Sequence, residues 1–301
     1  MISFRFHLVS LVAVFLALGL GVLTGTTVLN RGIVAQLERQ TDQLAAQSND
    51  LRGAVGDLES EVAAWERFGE SVSPVVIGGR LAGRQVVLVT QQGTPAEATD
   101  RTLGALQEAG AVVVREVTVQ DRMAIANEDD RAALAELLDL RTTVTDQEVL
   151  ERAAERLADQ LAFGAGEEDL VEAMVEAGVL TDRRIDPPDS ASRSPDPAIV
   201  VVGGSAGESP LPAERFLVHL VERLALDGQS TAAAEATQAQ DPFVTLVREG
   251  AVADRVVTQD NVDQVPGAMS LILALEDLIT EGLPGHYGVK PGASEPFPPV
   301  P

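Results

Sequence analysis

The chain has 301 residues, of which 45% are hydrophobic and 3% aromatic, and it contains no cysteine. Disulfides, thiolate metal sites and cysteine nucleophiles are therefore excluded. The formal net charge is −24, and a surface of this sign repels nucleic acid and anionic lipid. This composition fits one membrane segment and one domain of ordinary size, with no nucleic-acid partner.

The first predicted element is an apolar stretch, Leu8–Leu29, without any charged residue. At about 1.5 Å per residue, a helix of this length crosses a bilayer. A cleaved signal peptide is the alternative, but no A-x-A site follows and the helical pattern continues through Ile33–Leu58. We expect residues 1–29 to form a cytoplasmic amino terminus and a single transmembrane anchor, because Arg5 precedes the apolar stretch. The remainder would then lie outside the cytoplasm.

Three small residues of the anchor, Ala17, Gly21 and Gly25, recur every fourth position. Such a face lets two membrane helices approach closely, although glycine is also common in membrane helices generally.

Residues 30–73 show a heptad repeat typical of a coiled-coil stalk. Leucine or tryptophan recurs at every seventh position from Leu37 to Trp65. This pattern favours a parallel homodimer, although a helix packed on its own globular domain shows the same pattern. We expect Pro74 to end the helix and Gly78-Gly79 to form a hinge. The predicted dimer seam consists of Val34, Leu37, Thr41, Leu44, Ser48, Leu51, Val55, Leu58, Val62 and Trp65.

A globular domain is predicted over residues 84–290. The strand-like runs Val86–Val89, Val112–Val117, Ile199–Val202 and Val256–Thr258 alternate with helical patterns. This alternation indicates an α/β fold with a Rossmann-like parallel sheet and helices on both faces. Helices are predicted at Glu97–Ala109, Pro212–Leu226 and Pro266–Glu281, and one more after the N-cap pattern Asp241-Pro242.

A helical insertion interrupts the alternation at about residues 128–178. Thr145 and Glu148 form a capping box in front of a long helix. The helical stretches Glu128–Leu140 and Glu167–Ala177 flank this helix, and a loop rich in proline and serine follows at Asp186–Pro197. The proline-rich tail, residues 291–301, is predicted to be disordered.

Ligands of an open parallel sheet bind beyond the carboxyl ends of the strands. We expect three such ends to converge if their strands are neighbours. Gly203 and Gly204 offer backbone N–H groups to an anion, but the residues match neither a P-loop nor a dinucleotide fingerprint, and a glycine-rich turn has the same pattern. The candidate ligand crevice comprises Gln91, Gln92, Gly93, Gly203, Gly204, Ser205, Gln259, Asp260 and Asn261.

Residue types typical of metal and catalytic sites are few and scattered. No H-x-x-x-H spacing occurs, the methionines form no cluster, and the carboxylates show no diagnostic pairing. We therefore predict no catalytic residue, no metal site, no cofactor and no enzymatic activity. The scattered residues are His7, His219, His286, Met1, Met123, Met174 and Met269.

Both ends of the chain carry a family resemblance. Ile2–Arg5 and Phe15–Gly21 carry it at the amino terminus, and Asp260–Asp263, Leu273–Leu275 and Gly285–Lys290 near the carboxyl terminus. Together they resemble the actinobacterial MctB family, also represented by the cell-separation protein SteB. The order of anchor, stalk and α/β domain agrees with this family over nearly the whole chain.

The resemblance implies two functions. The family name implies copper transport across an outer membrane, for which a closed barrel of alternating strands would be expected. The other implied function is regulation of cell-wall hydrolysis and daughter-cell separation with a SteA-like membrane protein as partner, and an anchored coiled coil with an acidic domain favours it. We predict a non-enzymatic binding protein of this second kind at the cell membrane. Copper transport and a cryptic ligand-binding or enzymatic Rossmann-like domain are the alternatives.

Overall fold

The structure, a computed structural model, describes residues 4–141, 144–164, 169–185 and 196–299. The side chains of residues 26–35 and 38, and with them Val34 of the predicted seam, lie outside this description. So do residues 186–195 of the predicted proline-rich loop. The chain divides into two compact units, Met1–Trp65 and Glu66–Pro301.

One helix, α1, runs from Phe4 to Val76. Its segment Phe4–Gly25 is 22 residues long, has a mean hydropathy of 2.4 and buries none of its side chains. By length and composition this segment is able to cross a bilayer. The predicted anchor, Leu8–Leu29, overlaps most of it, and the side chains of its last four residues lie outside the described part of the chain.

The prediction that Pro74 ends the helix is wrong, because α1 continues to Val76. Proline lacks an N–H and its ring crowds the carbonyl four residues earlier, but its fixed φ is compatible with a helix. The following amides maintain the turn: Ile77 N–H donates to the Ser73 carbonyl at 2.9 Å and Gly78 N–H to the Pro74 carbonyl at 3.2 Å. Ile77 is fully buried and anchors this turn in the core.

A seven-stranded sheet lies at the centre of the second unit. Its strands are β1 Gln85–Gln91, β2 Val112–Val119, β3 Leu180–Arg184, β4 Ala198–Gly203, β5 Thr231–Glu235, β6 Val257–Gln259 and β7 Gly285–Tyr287. The strand order is β3-β2-β1-β4-β5-β6-β7. Every neighbouring pair is parallel except β2 and β3. The predicted α/β class with a largely parallel sheet is confirmed.

Helices cover both faces of this sheet. They are α2 Ala96–Glu108, α3 Glu128–Leu137, α4 Asp146–Phe163, α5 Leu170–Glu176, α6 Leu217–Leu226, α7 Val244–Glu249 and α8 Val265–Glu281. Successive strand residues point to opposite faces. Val87 and Val89 pack in a cluster with α3 to α7, whereas Val86 and Leu88 pack in a second cluster with α2 and α8. Burial on both faces explains why these strands are continuous apolar runs in the sequence.

The sequence pattern does not predict β5, which consists of Thr231, three alanines and Glu235. Alanine favours helix when nothing else decides. Here the segment is hydrogen-bonded between β4 and β6, and all five residues are buried. Pairing with two neighbours overrides the local preference, as is usual for a central strand.

Two helices begin later than the sequence predicts. Residues Ala213–Arg215 form a separate 3₁₀ turn, so α6 begins only at Leu217. The predicted N-cap, Asp241, does not cap a helix, and α7 begins at Val244. The Asp241 carboxylate instead accepts a hydrogen bond from Ala213 N–H at 2.9 Å.

The predicted capping box is confirmed at the start of α4. Thr145 N–H donates to the Glu148 carboxylate at 2.7 Å, and Glu148 N–H donates to the Thr145 hydroxyl at 3.3 Å. Helices α3, α4 and α5 all lie between β2 and β3 in the chain, within the region where the sequence predicts an insertion.

We expect Gly267→Ala to destabilise the fold. A Cβ at Gly267 in α8 would lie 2.1 Å from the Asn261 carbonyl oxygen, which is a backbone atom. Such overpacking costs about 1–3 kcal/mol, measurable as a lower urea midpoint of the purified chain by circular dichroism. Gly104→Ala in α2 is the control, because its Cβ would meet nothing within 4 Å, and alanine in a helix interior stabilises by about 0.5–1 kcal/mol. Equal stability of the two variants would contradict the close approach.

Candidate functional site

The predicted crevice residues lie at the carboxyl edge of the sheet, in two places. β1 and β4 are neighbours, and the direction of chain progression reverses between them, which is where open α/β sheets bind ligands. Gln91–Gly93 and Gly203–Ser205 therefore meet, and Ala206 N–H donates to the Gly93 carbonyl at 3.3 Å. The third end, Gln259–Asn261, is separated from β4 by β5. Two of the three predicted strand ends therefore belong to neighbouring strands and converge, and the third does not.

A loop between β4 and α6 lies against the end of β1. The Gln91 side-chain amide donates to the Ser209 hydroxyl at 3.0 Å and to the Leu211 carbonyl. The Ser205 hydroxyl donates to the Gly207 carbonyl within the same loop. Two of the predicted crevice side chains therefore hold this loop in place.

The glycines of the crevice are explained by close packing. A Cβ at Gly203 would lie 2.6 Å from the Phe243 ring and 2.7 Å from Leu217, and one at Gly204 would lie 2.8 Å from the Ala239 methyl group. These contacts require glycine without any bound anion, which favours the glycine-rich turn over the anion site.

An open cleft of about 670 Å³ lies beside this loop. Burial raises the pKa of the Asp241 carboxyl in the cleft, and the nearby carboxylates of Glu214 and Glu235 raise it further. Within the described ranges, no group of three or more His, Asp and Glu side chains is arranged to hold a metal ion. The cleft is lined by Gly207, Glu208, Ser209, Pro210, Pro212, Gln240, Asp241 and Pro242.

A buried ion pair follows the end of β6. Asp260 Oδ2 lies 2.9 Å from Arg248 Nη1, and the two side chains are 0% and 1% exposed. The Asp260 carboxylate also accepts the N–H groups of Val289 at 2.6 Å and Lys290 at 3.1 Å. Burying two charges is tolerated only with such good geometry and additional hydrogen bonds. Of the two paired side chains, only Asp260 belongs to the predicted ligand crevice.

A second buried carboxylate, Glu235, ends the neighbouring strand β5. Lys290 Nζ donates to it at 2.9 Å, and the Glu235 side chain is fully buried. Its other oxygen accepts the N–H groups of Phe243 at 2.9 Å and Val244 at 3.1 Å. Glu235 thereby provides the cap for α7 that the sequence assigned to Asp241.

Gly288 allows the carboxyl-terminal segment to reach Asp260. Its φ is +128°, and a Cβ there would lie 2.3 Å from the Asp260 carboxylate. Arg248 donates to the Tyr287 carbonyl at 2.6 Å from the other side. The glycine, the carboxylate and the guanidinium are thus parts of one buried structure that connects β6, α7 and the chain end.

The tail also differs from its prediction of disorder, as far as residue 299. Ser294 N–H donates to the His286 carbonyl at 2.8 Å, and Gly288 N–H donates to the Glu295 carbonyl at 3.1 Å. Backbone pairing along β7 therefore orders the beginning of a proline-rich segment. Residues 300–301 lie outside the described part.

The remaining predicted crevice residues also bond within the chain. The Gln259 side-chain amide donates to Asn261 Oδ1 at 2.7 Å, and the Ser270 hydroxyl donates to Gln259 Oε1. Gln92 Oε1 accepts Asp121 N–H at 3.1 Å. These partners give each residue a structural role.

The two histidines of the second unit have separate partners. His286 Nδ1 lies 3.0 Å from the Thr258 hydroxyl, and burial lowers the pKa of its imidazole. His219 Nδ1 lies 3.3 Å from a Glu222 carboxylate oxygen, and its Nε2 lies 3.1 Å from the Gln147 amide.

The sequence is similar to known proteins along nearly its whole length. The family described as "Copper transport outer membrane protein, MctB" matches residues 1–298. The chain belongs to the MctB family. It is 29% identical over 97% of its length to "Copper transporter MctB" of Mycobacterium tuberculosis, covering 98% of that protein. It is 27% identical over 98% of its length to the protein of the same name from Mycobacterium leprae, again covering 98% of it.

The predicted MctB resemblance is therefore confirmed along nearly the whole chain. An orotate phosphoribosyltransferase of Xanthomonas campestris is also 35% identical, but over 96 residues that cover 32% of this chain and 42% of the enzyme. A match that covers less than half of the enzyme does not show that this chain belongs to the same protein class. The MctB family is named for transport at a membrane and not for catalysis, and the apolar start of α1 agrees with membrane anchoring.

We expect Asp260→Asn to destabilise this MctB-family domain. The substitution leaves the Arg248 guanidinium buried without a counter-charge, and breaking a buried pair costs about 3–5 kcal/mol. Chemical denaturation of the purified chain, followed by circular dichroism, measures the loss. Asp254→Asn is the matched control, because Asp254 is 84% exposed and surface substitutions change stability by about 0.5 kcal/mol or less. Similar midpoints for both variants would show that the pair does not hold the fold.

Proposed function

We propose that this chain is a non-enzymatic, membrane-anchored envelope protein that binds and regulates partners in cell-wall hydrolysis or cell separation. The observation that supports this most directly is in α1. The apolar segment Phe4–Gly25 continues as the same helix into a heptad-patterned stalk, whose large apolar side chains between Leu37 and Trp65 face solvent.

The exposed side chains of the stalk need a protein partner. Five seam residues are between 56% and 67% exposed in the single chain. Fully burying a leucine stabilises by about 1.5–3 kcal/mol, and an exposed apolar stripe on a polar helix marks an interaction surface. The five are Leu37, Leu44, Leu51, Leu58 and Trp65.

The carboxyl edge of the sheet supports a binding role over catalysis. The charged groups Asp260, Arg248, Glu235 and Lys290 neutralise one another inside the fold. A catalytic acid or base must instead reach a substrate. The charged chemistry at these strand ends is therefore structural, and the exposed surfaces remain for partners.

The anchor also supports a membrane partner. Gly21 and Gly25 follow Ala17 along one helix face, and a Cβ at either glycine would meet nothing within 4 Å. Small residues let a second membrane helix come close. A SteA-like membrane protein, as implied by the family resemblance, would fit this face.

The proposal requires the amino terminus to be cytoplasmic and the acidic domain to be outside. Arg5 supports this orientation through the bias of positive charge toward the cytoplasm. We expect alkaline phosphatase fused after Pro301 to be active in whole cells and a green fluorescent protein fused there to be dark. The reverse pattern would contradict the proposed orientation.

Copper transport is the second candidate function, because the family and its mycobacterial members carry that name. Thioether, thiolate and imidazole groups are the ligands that favour copper. Met123 and Met174 are fully buried in the core cluster with α3 to α7, and Met269 packs against the other cluster. The methionines of the domain thus contribute to packing.

One deletion experiment separates the two functions. We expect cells that lack the gene to remain attached after division, with copper tolerance unchanged. The full chain should restore separation, whereas Leu44→Asp/Leu51→Asp should not, because charge in an apolar seam costs several kcal/mol. The matched control is Ala46→Asp/Ser60→Asp, which adds the same charge outside the seam and should restore separation. Copper sensitivity with normal separation would contradict the proposal and favour transport.

A further inference from the structure

We infer that the exposed seam of α1 is covered by a second copy of this chain in parallel orientation, and that this coiled coil ends at Trp65. The inference rests on the proposed function, since it names the partner of the same stalk surface. The two helices run in the same direction, and their contact stops before Gly69.

The side chains of the seam favour two strands. Leucine occupies the d positions from Leu37 to Leu58, and valine occupies the a positions Val55 and Val62. β-Branched residues at a with leucine at d favour parallel dimers. A groove of about 500 Å³ runs along this part of α1 from Leu44 to Glu59. Such a groove between the a and d rows is where side chains of a partner helix insert.

The anchor determines the orientation of the partner. Phe4–Gly25 is the candidate membrane span, and the same helix continues from it into the seam. Two copies that share one membrane must therefore run in the same direction at the start of their stalks. Anchoring also raises the effective concentration of one seam near the other, so that even a weak coiled coil associates.

Polar seam positions make the membrane-proximal half the weaker part. Thr41 occupies an a position, and its hydroxyl already donates to the Leu37 carbonyl at 2.9 Å in its own helix. Ser48 occupies the next a position. Neither buries as much apolar surface as valine does. We therefore expect the firmest contact between Leu51 and Leu58.

The e and g positions beside the seam are compatible with a parallel pair near Leu51 and unfavourable near Trp65. In a parallel pair, a g residue faces the e residue five positions later in the partner. Gln47 thus faces Arg52, which is a compatible pair. Glu61 faces Glu66, a like-charged pair that weakens the end of the seam and disfavours continuation of the coiled coil beyond Trp65. In its own chain Glu66 lies 3.7 Å from Arg101 Nη1.

The chain's own domain uses the seam positions after Trp65. Gly69 is the next a position, and it is buried; a Cβ there would lie 3.0 Å from Val265 Cγ1 of α8. Val72, the next d position, is half-buried. A partner helix cannot occupy positions that already contact α8, so the coiled coil must end before Gly69.

Because the chain contains no cysteine, single cysteines report which positions meet a second copy. A disulfide forms only when the two Cα atoms come within about 7 Å. The test uses full-length variants in membranes, oxidised mildly and resolved on a non-reducing gel. Seam variants are Leu51→Cys and Leu58→Cys, controls outside the seam are Ala46→Cys and Ser60→Cys, and Val72→Cys lies beyond the expected end.

We expect the two seam variants to yield covalent dimer several-fold above both controls, with Val72→Cys at the level of the controls. Equal yields at seam and control positions would reflect random collision in the membrane and overturn the inference. A Val72→Cys yield equal to that of Leu58→Cys would overturn the end at Trp65. Absence of seam crosslinks in variants that are as abundant and protease-resistant as the parent would show that no second copy covers the seam. That outcome overturns the second copy but leaves the proposed function, whose test is cell separation.

Discussion

The buried pair of Asp260 and Arg248 is the contact on which the carboxyl half of the domain depends. It neutralises two charges that water no longer reaches, and the same carboxylate holds the backbone of Val289 and Lys290. Lys290 then neutralises Glu235, which in turn caps α7. Each buried charge in this series is satisfied by the next, so loss of one member leaves another unpaired, and that penalty exceeds the net stabilisation of the intact pair.

Some of the residues that carry the family resemblance have a structural role in this arrangement. Asp260 and Gly285–Lys290 have the residue types of a ligand site: carboxylate, imidazole, glycine and lysine. In the structure they bond to one another, with Gly288 present because Asp260 occupies the space of a Cβ. In this chain these residues therefore connect the last strands of the sheet to α7. The chain's interactions with other molecules are to be sought on the exposed surfaces.

Helix α1 differs from the domain, because it exposes apolar side chains. Its interior backbone groups are satisfied within the helix, but the large apolar side chains that the structure describes are exposed, both from Phe4 to Leu23 and from Leu37 to Trp65. Lipid is the suitable environment for Phe4–Gly25, because an uncharged helix of that length matches the bilayer core. The stalk has charged residues between its leucines, so a protein surface suits it better than lipid. The charges of the domain are thus paired within the chain, whereas the apolar side chains of the helix are exposed in the single chain.

The sequence by itself determined features that depend on neighbouring residues. Apolar length indicated the anchor, the continuous runs at Val86–Val89 and Ile199–Val202 indicated buried parallel strands, and Thr145 with Glu148 indicated the start of α4. Only the tertiary structure decided features that depend on distant residues. The alanines of β5 became a strand because β4 and β6 flank them, and Asp241 bonded Ala213 while Glu235 capped α7. Asp260 met Val289 and Lys290 only because β6 and β7 are neighbours. Local periodicity and capping are encoded within a few residues, whereas the partner of a buried charge is chosen by strand order, which no short stretch of sequence contains.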